Sequence, residues 1–253
     1  MKVADLAIIT PTLNEEHYIG KLLDSIIAQS IQPKDIIIVD AFSKDNTVRE
    51  IKKRQKKLPQ LRYYQIPQDT ISKQRNLGAK KTDIKHLLFL DADMQLLDPL
   101  TLEIYMKEVE IKKPDIAAAT NHPDTDYWKD KSFFKAMDLT FKTLKPIWPA
   151  AQGMNLYVKH SVFDRFGGFD PQIKCGEDHE FVSRVVKNGG KLLYLKRPKL
   201  YTSVRRIKKV GHFKFATSMT ISFILDHTIG YKRNPLAKKY EFGNYSERES
   251  LNL

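Results

Sequence analysis

Three apolar runs limit what this chain can fold into. Residues 6–10, 36–39 and 87–90 are uninterrupted, rich in Ile, Leu and Val, and followed at once by a proline turn in the first case and by an aspartate in the other two. A run of strand length without apolar–polar alternation is a strand buried on both faces. Helical patterns lie between these runs. Ile19, Leu22, Leu23, Ile26 and Ile27 follow the i, i+3, i+4, i+7, i+8 spacing of one helix face. Residues 49–57 and 72–81 predict two more helices, and Leu102, Tyr105, Met106 and Val109 mark another. Residues 61–66 and 116–119 predict further strands. The alternation predicts an α/β fold, doubly wound on a mostly parallel sheet, up to about residue 120. In such sheets ligands bind at the carboxyl ends of the strands. The segments 11–16, 40–47 and 91–95 all follow strands, so polar residues collect on one edge.

The second half is less regular. Phe133, Phe134, Met137, Phe141 and Leu144 fit one helix face, for which core packing is the default reading. Residues 155–158 and 192–195 predict strands, residues 167–171 a turn, and residues 177–187 a helix. No linker divides the chain. The expected organisation is one domain over 1–230, with a first lobe (1–120), a smaller second lobe (121–230) and a polar tail (231–253).

Residues 215–225 are apolar but number only eleven, against the ~20 needed to span a bilayer. A buried helix is expected there ahead of an interfacial one. The opening apolar run is too short for a secretory leader and reads as a strand. Cys175 is the single cysteine, which excludes a disulfide framework or a multi-cysteine zinc site. A cytoplasmic location is expected.

Charge narrows the partners. The 253 residues carry 43 Lys and Arg against 30 Asp and Glu, a formal charge of +13. Such an excess favours nucleic acid, an anionic membrane or a phosphate-bearing substrate, although a merely solvated surface has the same composition. No G-x-G-x-x-G follows the first strand and no G-x-x-x-x-G-K-[ST] occurs. Dinucleotide dehydrogenases and P-loop enzymes are therefore disfavoured.

Four segments carry chemistry. Pro11-Thr12-Leu13-Asn14-Glu15-Glu16 follows the first strand, where capping of the next helix also accounts for most of these residues. Asp91-Ala92-Asp93 ends a buried strand. Two carboxylates there repel one another unless a hard divalent cation such as Mg²⁺ or Mn²⁺ joins them, the alternative being a solvated turn. Glu177-Asp178-His179-Glu180 opens a helix; acidic residues favour such an end, and a carboxylate there can also serve as a general base. Arg197, Lys199, Arg205, Arg206, Lys208, Lys209 and Lys214 form a basic stretch around His212, suited to phosphate oxygens or to a solvated positive face.

Taken together, over residues 6–181 and more loosely to 214, these segments resemble the family 2 glycosyltransferases of the GT-A fold. Pro11-Thr12-Leu13-Asn14-Glu15 is similar to that family's P-x-[YL]-N-E. The stretch from Ile38 to Thr47 is similar to its V-D-D-G-S-x-D-x-T, with Ala41 and Phe42 in place of the second Asp and the Gly. Arg75-Asn76-Leu77-Gly78 is similar to its R-N-x-G, Asp91-Ala92-Asp93 to its D-x-D, and Glu177-Asp178 to its E-D pair. The Q-x-x-R-W of processive members is absent.

The resemblance implies roles. Pro11, Leu13, Glu15 and Asp40 would hold the nucleotide base and ribose, with Arg75 close by. Asp91 would contact the sugar nucleotide and Asp93 the metal on its diphosphate. Gln95 matches the D-A-D-x-Q of dolichyl-phosphate mannose synthase-like members, in which it also reaches the metal. Asp178 would be the base, with Glu177 beside it in the substrate site. Arg205, Arg206 and Lys214 would neutralise the leaving diphosphate, and His212 would be a further metal ligand.

The resulting expectation is an inverting, metal-dependent, non-processive transfer from a UDP- or GDP-linked sugar to a hydroxyl or phosphate. The acceptor would be a glycan or polyprenyl phosphate, with an anionic membrane surface as a further partner. A nucleotidyltransferase on the same type of fold, or a basic nucleic-acid-binding module, is the alternative. Only Tyr201 interleaves the basic residues from 197 to 209, so base stacking is poorly supported and no nucleic-acid partner is expected.

Overall fold

The computed structural model describes residues 2–238. Its eight strands form one sheet in the order β3-β2-β1-β4-β7-β6-β8-β5. They are β1 (Lys2–Thr12), β2 (Ile31–Asp40), β3 (Leu61–Gln65), β4 (His86–Leu90), β5 (Met94–Gln95), β6 (Ile116–Pro123), β7 (Asn155–Lys159) and β8 (Leu192–Thr202). β1 pairs in parallel with both β2 and β4, and β2 with β3. Chain order reverses at β1, the position at which an α/β sheet opens a crevice. β7 enters antiparallel between β4 and β6, so the second half completes the sheet of the first.

The helices are α1 (Ile19–Ile27), α2 (Thr47–Gln55), α3 (Ile71–Lys80), α4 (Thr101–Lys112), α5 (Trp128–Leu144), α6 (His160–Arg165), α7 (Glu177–Lys187), α8 (Arg205–Val210), α9 (His212–Leu225) and α10 (Pro235–Lys238). Successive strand residues point to opposite faces, and two cores follow from that. Ile8, Ile36, Ile38, Leu88 and Leu90 pack on one face with residues of α1 and α4. Ala7, Ile9, Leu87 and Phe89 pack on the other with Ala79 of α3, Phe163 of α6 and Phe181, Val182 and Val185 of α7. Both faces are covered, as the unbroken apolar runs require.

Two expectations change. The segment at 215–225 is helical but not buried: α9 has no buried residue, because α5 covers it along one side while its outer side stays open. The polar tail does not begin at Tyr231. Asn234 is fully buried, and its amide donates to Asp226 Oδ1 at 2.7 Å and Ser222 Oγ at 2.8 Å. The expected tail from 239 onward lies outside the described residues.

Candidate active site

The site is built on the carboxyl ends of β1, β2 and β4. Asp40, the last residue of β2, is fully buried. Its carboxylate accepts from Thr12 Oγ1 (3.1 Å), Gln65 Nε2 (3.1 Å), the Ser43 amide (3.0 Å) and the Ser43 hydroxyl. So bonded, Asp40 braces the loop after β2. Phe42 in that loop has φ +52°, the left-handed region that suits glycine. The turn thus keeps a glycine-type conformation although a phenylalanine occupies it. Pro11 and Leu13 are buried beside it at the end of β1.

The loop after β1 is clamped from the far end of the chain. Glu15 accepts a two-pronged bond from Arg205 at the start of α8, at 2.6 and 2.8 Å. The same guanidinium lies 3.3 Å from Asp93 Oδ2 and 4.3 Å from the centre of the Tyr18 ring. Burial pushes the Glu15 carboxyl up, to about 7, against the pull of Arg205. Burial also raises Asp93, with Asp91 adding to the effect and Arg205 opposing it.

A second cluster joins β4 to α7. Arg75, on α3, is buried, and its guanidinium donates to Asp91 Oδ1 (2.7 Å) and to Glu177 Oε1 (2.6 Å). Burial drives Glu177 up to about 7, and Asp178 beside it acts in the same direction, while Arg75 pulls it back. Asp178 sits in the first turn of α7 with its side chain 18% exposed. Its Oδ2 accepts from the Gly153 amide at 2.5 Å and its Oδ1 from the His179 amide at 2.8 Å.

The geometry sorts the expected site residues. Glu15, Asp93 and Arg205 are brought together, as are Arg75, Asp91 and Glu177, with Asp178 adjoining the second group. Gln95 lies on β5 opposite Tyr201 of β8, two residues beyond Asp93. Arg206 acts electrostatically on Asp93. His212 stands apart: its Nε2 is 2.6 Å from Asp130 Oδ1 at the head of α5. Lys214 is exposed on α9, with no ion pair to these carboxylates among the described residues.

Gly153 escaped the sequence reading. A Cβ there would lie 2.8 Å from Arg75 Nη1 and 3.0 Å from the Asp178 Cβ. Only a glycine lets the loop before β7 pass between them and still donate its amide to Asp178. A single glycine outside any turn dipeptide gives no signal in one sequence. The joint role of Arg75 was equally hidden, because its two partners lie 16 and 102 residues away.

The donor set suits a hard divalent cation. Asp93 is partly buried near Asp91, whose negative charge disfavours its ionised form. Among the described residues no three His, Cys, Asp or Glu side chains form a ready metal cluster. A cation held here would therefore share its shell with phosphate oxygens and water, the habit of Mg²⁺.

Comparisons with known proteins bear on the family and the fold. In sequence the chain is 25% identical over 207 residues to poly(ribitol-phosphate) β-N-acetylglucosaminyltransferase TarS of Staphylococcus aureus, covering 79% of this chain and 35% of TarS. It is 29% identical over 112 residues to glycosyltransferase GlyA of Streptococcus pneumoniae, covering 44% of this chain and 16% of GlyA. It thus spans about a third or less of these relatives. In structure it is similar to S. aureus TarS 1–349 in complex with UDP, with a TM-score of 0.65 and 18% identity over 99% of this chain and 78% of that one. It is also similar to mannosyltransferase PcManGT of Pyrobaculum calidifontis in complex with GDP-Man and Mn²⁺, with a TM-score of 0.68 and 18% identity over 96% and 72%. At such identities these likenesses show the fold, which is GT-A. The family described as Glycosyl transferase family 2 matches residues 7–167, well over half of the sequence and the part that holds Glu15, Asp40, Arg75 and the paired aspartates, and the chain belongs to that family.

Proposed function

We propose that this protein is an inverting, non-processive glycosyltransferase that moves a sugar from a UDP- or GDP-linked donor to an acceptor hydroxyl or phosphate. One observation carries the reading. Buried Arg75 ties Asp91, at the end of β4, to Glu177, next to Asp178. Donor and acceptor chemistry thereby meet at one place.

In this reading Asp178 takes the proton of the acceptor hydroxyl as its oxygen attacks the anomeric carbon. The bond from that carbon to the donor diphosphate breaks in the same displacement, which inverts the centre. The diphosphate leaves with the electron pair, and Arg205 and Arg206 face the charge that develops. Asp93 and Asp91, with Gln95, would hold Mn²⁺ or Mg²⁺, which when bound supplies a Lewis acid for the diphosphate oxygens. Pro11, Leu13 and Glu15 would border the base and ribose, with Asp40 bracing the loop around them. His212, held by Asp130, is left out of this ligand set. A glycan or polyprenyl phosphate remains the expected acceptor, and the cytoplasm the expected location.

The test is to supply UDP- and GDP-sugars with Mn²⁺ or Mg²⁺ and follow the leaving group. Release of nucleoside diphosphate supports the reading. Release of pyrophosphate from a nucleoside triphosphate contradicts it and favours nucleotidyl transfer.

A further inference from the structure

We propose that the open side of α9, with the start of α5 beside it (Tyr127 and His212 rings 6.3 Å apart), docks on an anionic lipid bilayer. The two helices lie side by side and run the same way: Phe133 meets Phe215 at 5.7 Å between ring centres, and eight residues on in both helices Phe141 meets Phe223 at 6.3 Å. Their contacting sides are aromatic and their outer sides are open. On α5 the residues Trp128, Ser132, Ala136, Leu139 and Thr143 recur at helical spacing and are all exposed. On α9 Phe213, Thr220, Ile221 and Ile224 do the same. Phe213 is 84% exposed and Trp128 65%. Neither ridge contains a charged residue, and no helix among the described residues is long and apolar enough to cross a membrane. A helix apolar outside and rimmed by cations lies in the plane of the headgroups.

Charge selects the occupant. From Phe181 to Lys238 the sequence holds fourteen Lys and Arg and one acid, Asp226, which is buried. Lys129 and Lys135 on α5, Lys208 on α8, Lys214 on α9 and Arg233 beyond it are all exposed. A second copy seated here would set positive rim against positive rim, which opposes association. An anionic bilayer complements both the rim and the ridge. Tyr127 and Trp128, exposed at the start of α5, suit the headgroup level where such rings collect. The proposal rests on this face alone and not on the transfer chemistry, so either can fail without the other.

The test is flotation of the 253-residue protein with vesicles of pure phosphatidylcholine or of phosphatidylcholine with phosphatidylglycerol. The protein should float with the anionic vesicles only, and less so as salt screens the rim. Phe213→Ser/Ile221→Ser/Ile224→Ser should weaken partitioning by about tenfold or more with an unchanged melting temperature. Should that variant lose its fold, brominated phosphatidylglycerol should still quench tryptophan emission of the unaltered protein, and Trp128→Phe should remove the quenching. A protein left unfloated by both vesicles would overturn the proposal. So would a folded triple variant that floats as before, or a concentration-dependent dimer that the triple variant abolishes while vesicles leave it untouched.

Discussion

The rim over β1, β2 and β4 and the α5–α9 pair are held by different forces. At the rim every charged group in the site is engaged: Arg205 with Glu15 and Asp93, Arg75 with Asp91 and Glu177, Asp40 with four protein donors. Beneath it lie strands whose residues are buried on both faces. The α5–α9 pair has a small core of Phe134, Val204 and Ile207, with Phe133, Met137 and Phe215 partly buried against it. The rim is thus tied by a dense network of ion pairs and hydrogen bonds, whereas the helix pair is packed on one side only. In the function proposed above, donor recognition belongs on the first and acceptor access beside the second.

Four substitutions test how sharp that contrast is. Arg75→Met should have the largest effect, because it leaves Asp91 and Glu177 facing each other without their shared cation. A loss on the order of 3–5 kcal/mol is expected for breaking a buried pair, read from urea unfolding. A loss below 1 kcal/mol would mean that the rim does not depend on this cluster. Next comes Gly153→Ala, whose methyl would crowd both Arg75 and Asp178. Overpacking of this kind costs about 1–3 kcal/mol, and a shift of the base by an ångström costs about a hundredfold in rate. Turnover should fall far more than donor affinity.

The third concerns pH. The Glu177 carboxyl is raised by burial from 4.5 to about 7. Between those values the folded state holds the proton more tightly than the unfolded chain. This contribution to stability is therefore complete below pH 4.5 and is lost as pH rises through about 7. Unfolding free energies measured from pH 5 to 7.5 should fall, and Glu177→Gln should flatten the slope by an amount on the order of 1–3 kcal/mol across the window. An unchanged slope would show that Glu177 is not the titrating group. The smallest effect belongs to the helix pair: Leu139→Ser, on the open side of α5, should change stability by less than about 0.5 kcal/mol. A larger loss in the isolated protein would show that this face is packed after all.

The same contrast accounts for what was legible in the sequence. The buried strands could be read because an unbroken Ile-Leu-Val run of four or five residues fits little besides a strand covered on both faces, and the residues that end such strands necessarily fall on one edge. Five short motifs in order then pointed to Glu15, Asp40, Arg75, the paired aspartates and Glu177-Asp178. What stayed hidden depended on distant contacts. Arg75 was expected near the nucleotide, but the two carboxylates it joins, Asp91 and Glu177, could not be read from the sequence. His212 was expected as a further metal ligand, and its bond to Asp130, 82 residues earlier, could not be read from the sequence. Residues 215–225 were expected inside, since local hydrophobicity cannot tell a helix covered on both sides from one covered on a single side. Asn234 was assigned to a polar tail because its buried partner, Asp226, only becomes its neighbour when the π-helical turn at Asp226–Gly230 folds the chain back.

The central claim is that one carboxylate at the head of α7 acts on the acceptor while the rim holds the donor. Asp178→Asn tests it most directly, with donor binding by calorimetry and transfer by product formation measured on the same preparation. Donor affinity should stay within about twofold while transfer falls by about 10²–10⁴-fold, the range for loss of a general base. Turnover equal to that of the unaltered enzyme would contradict the account.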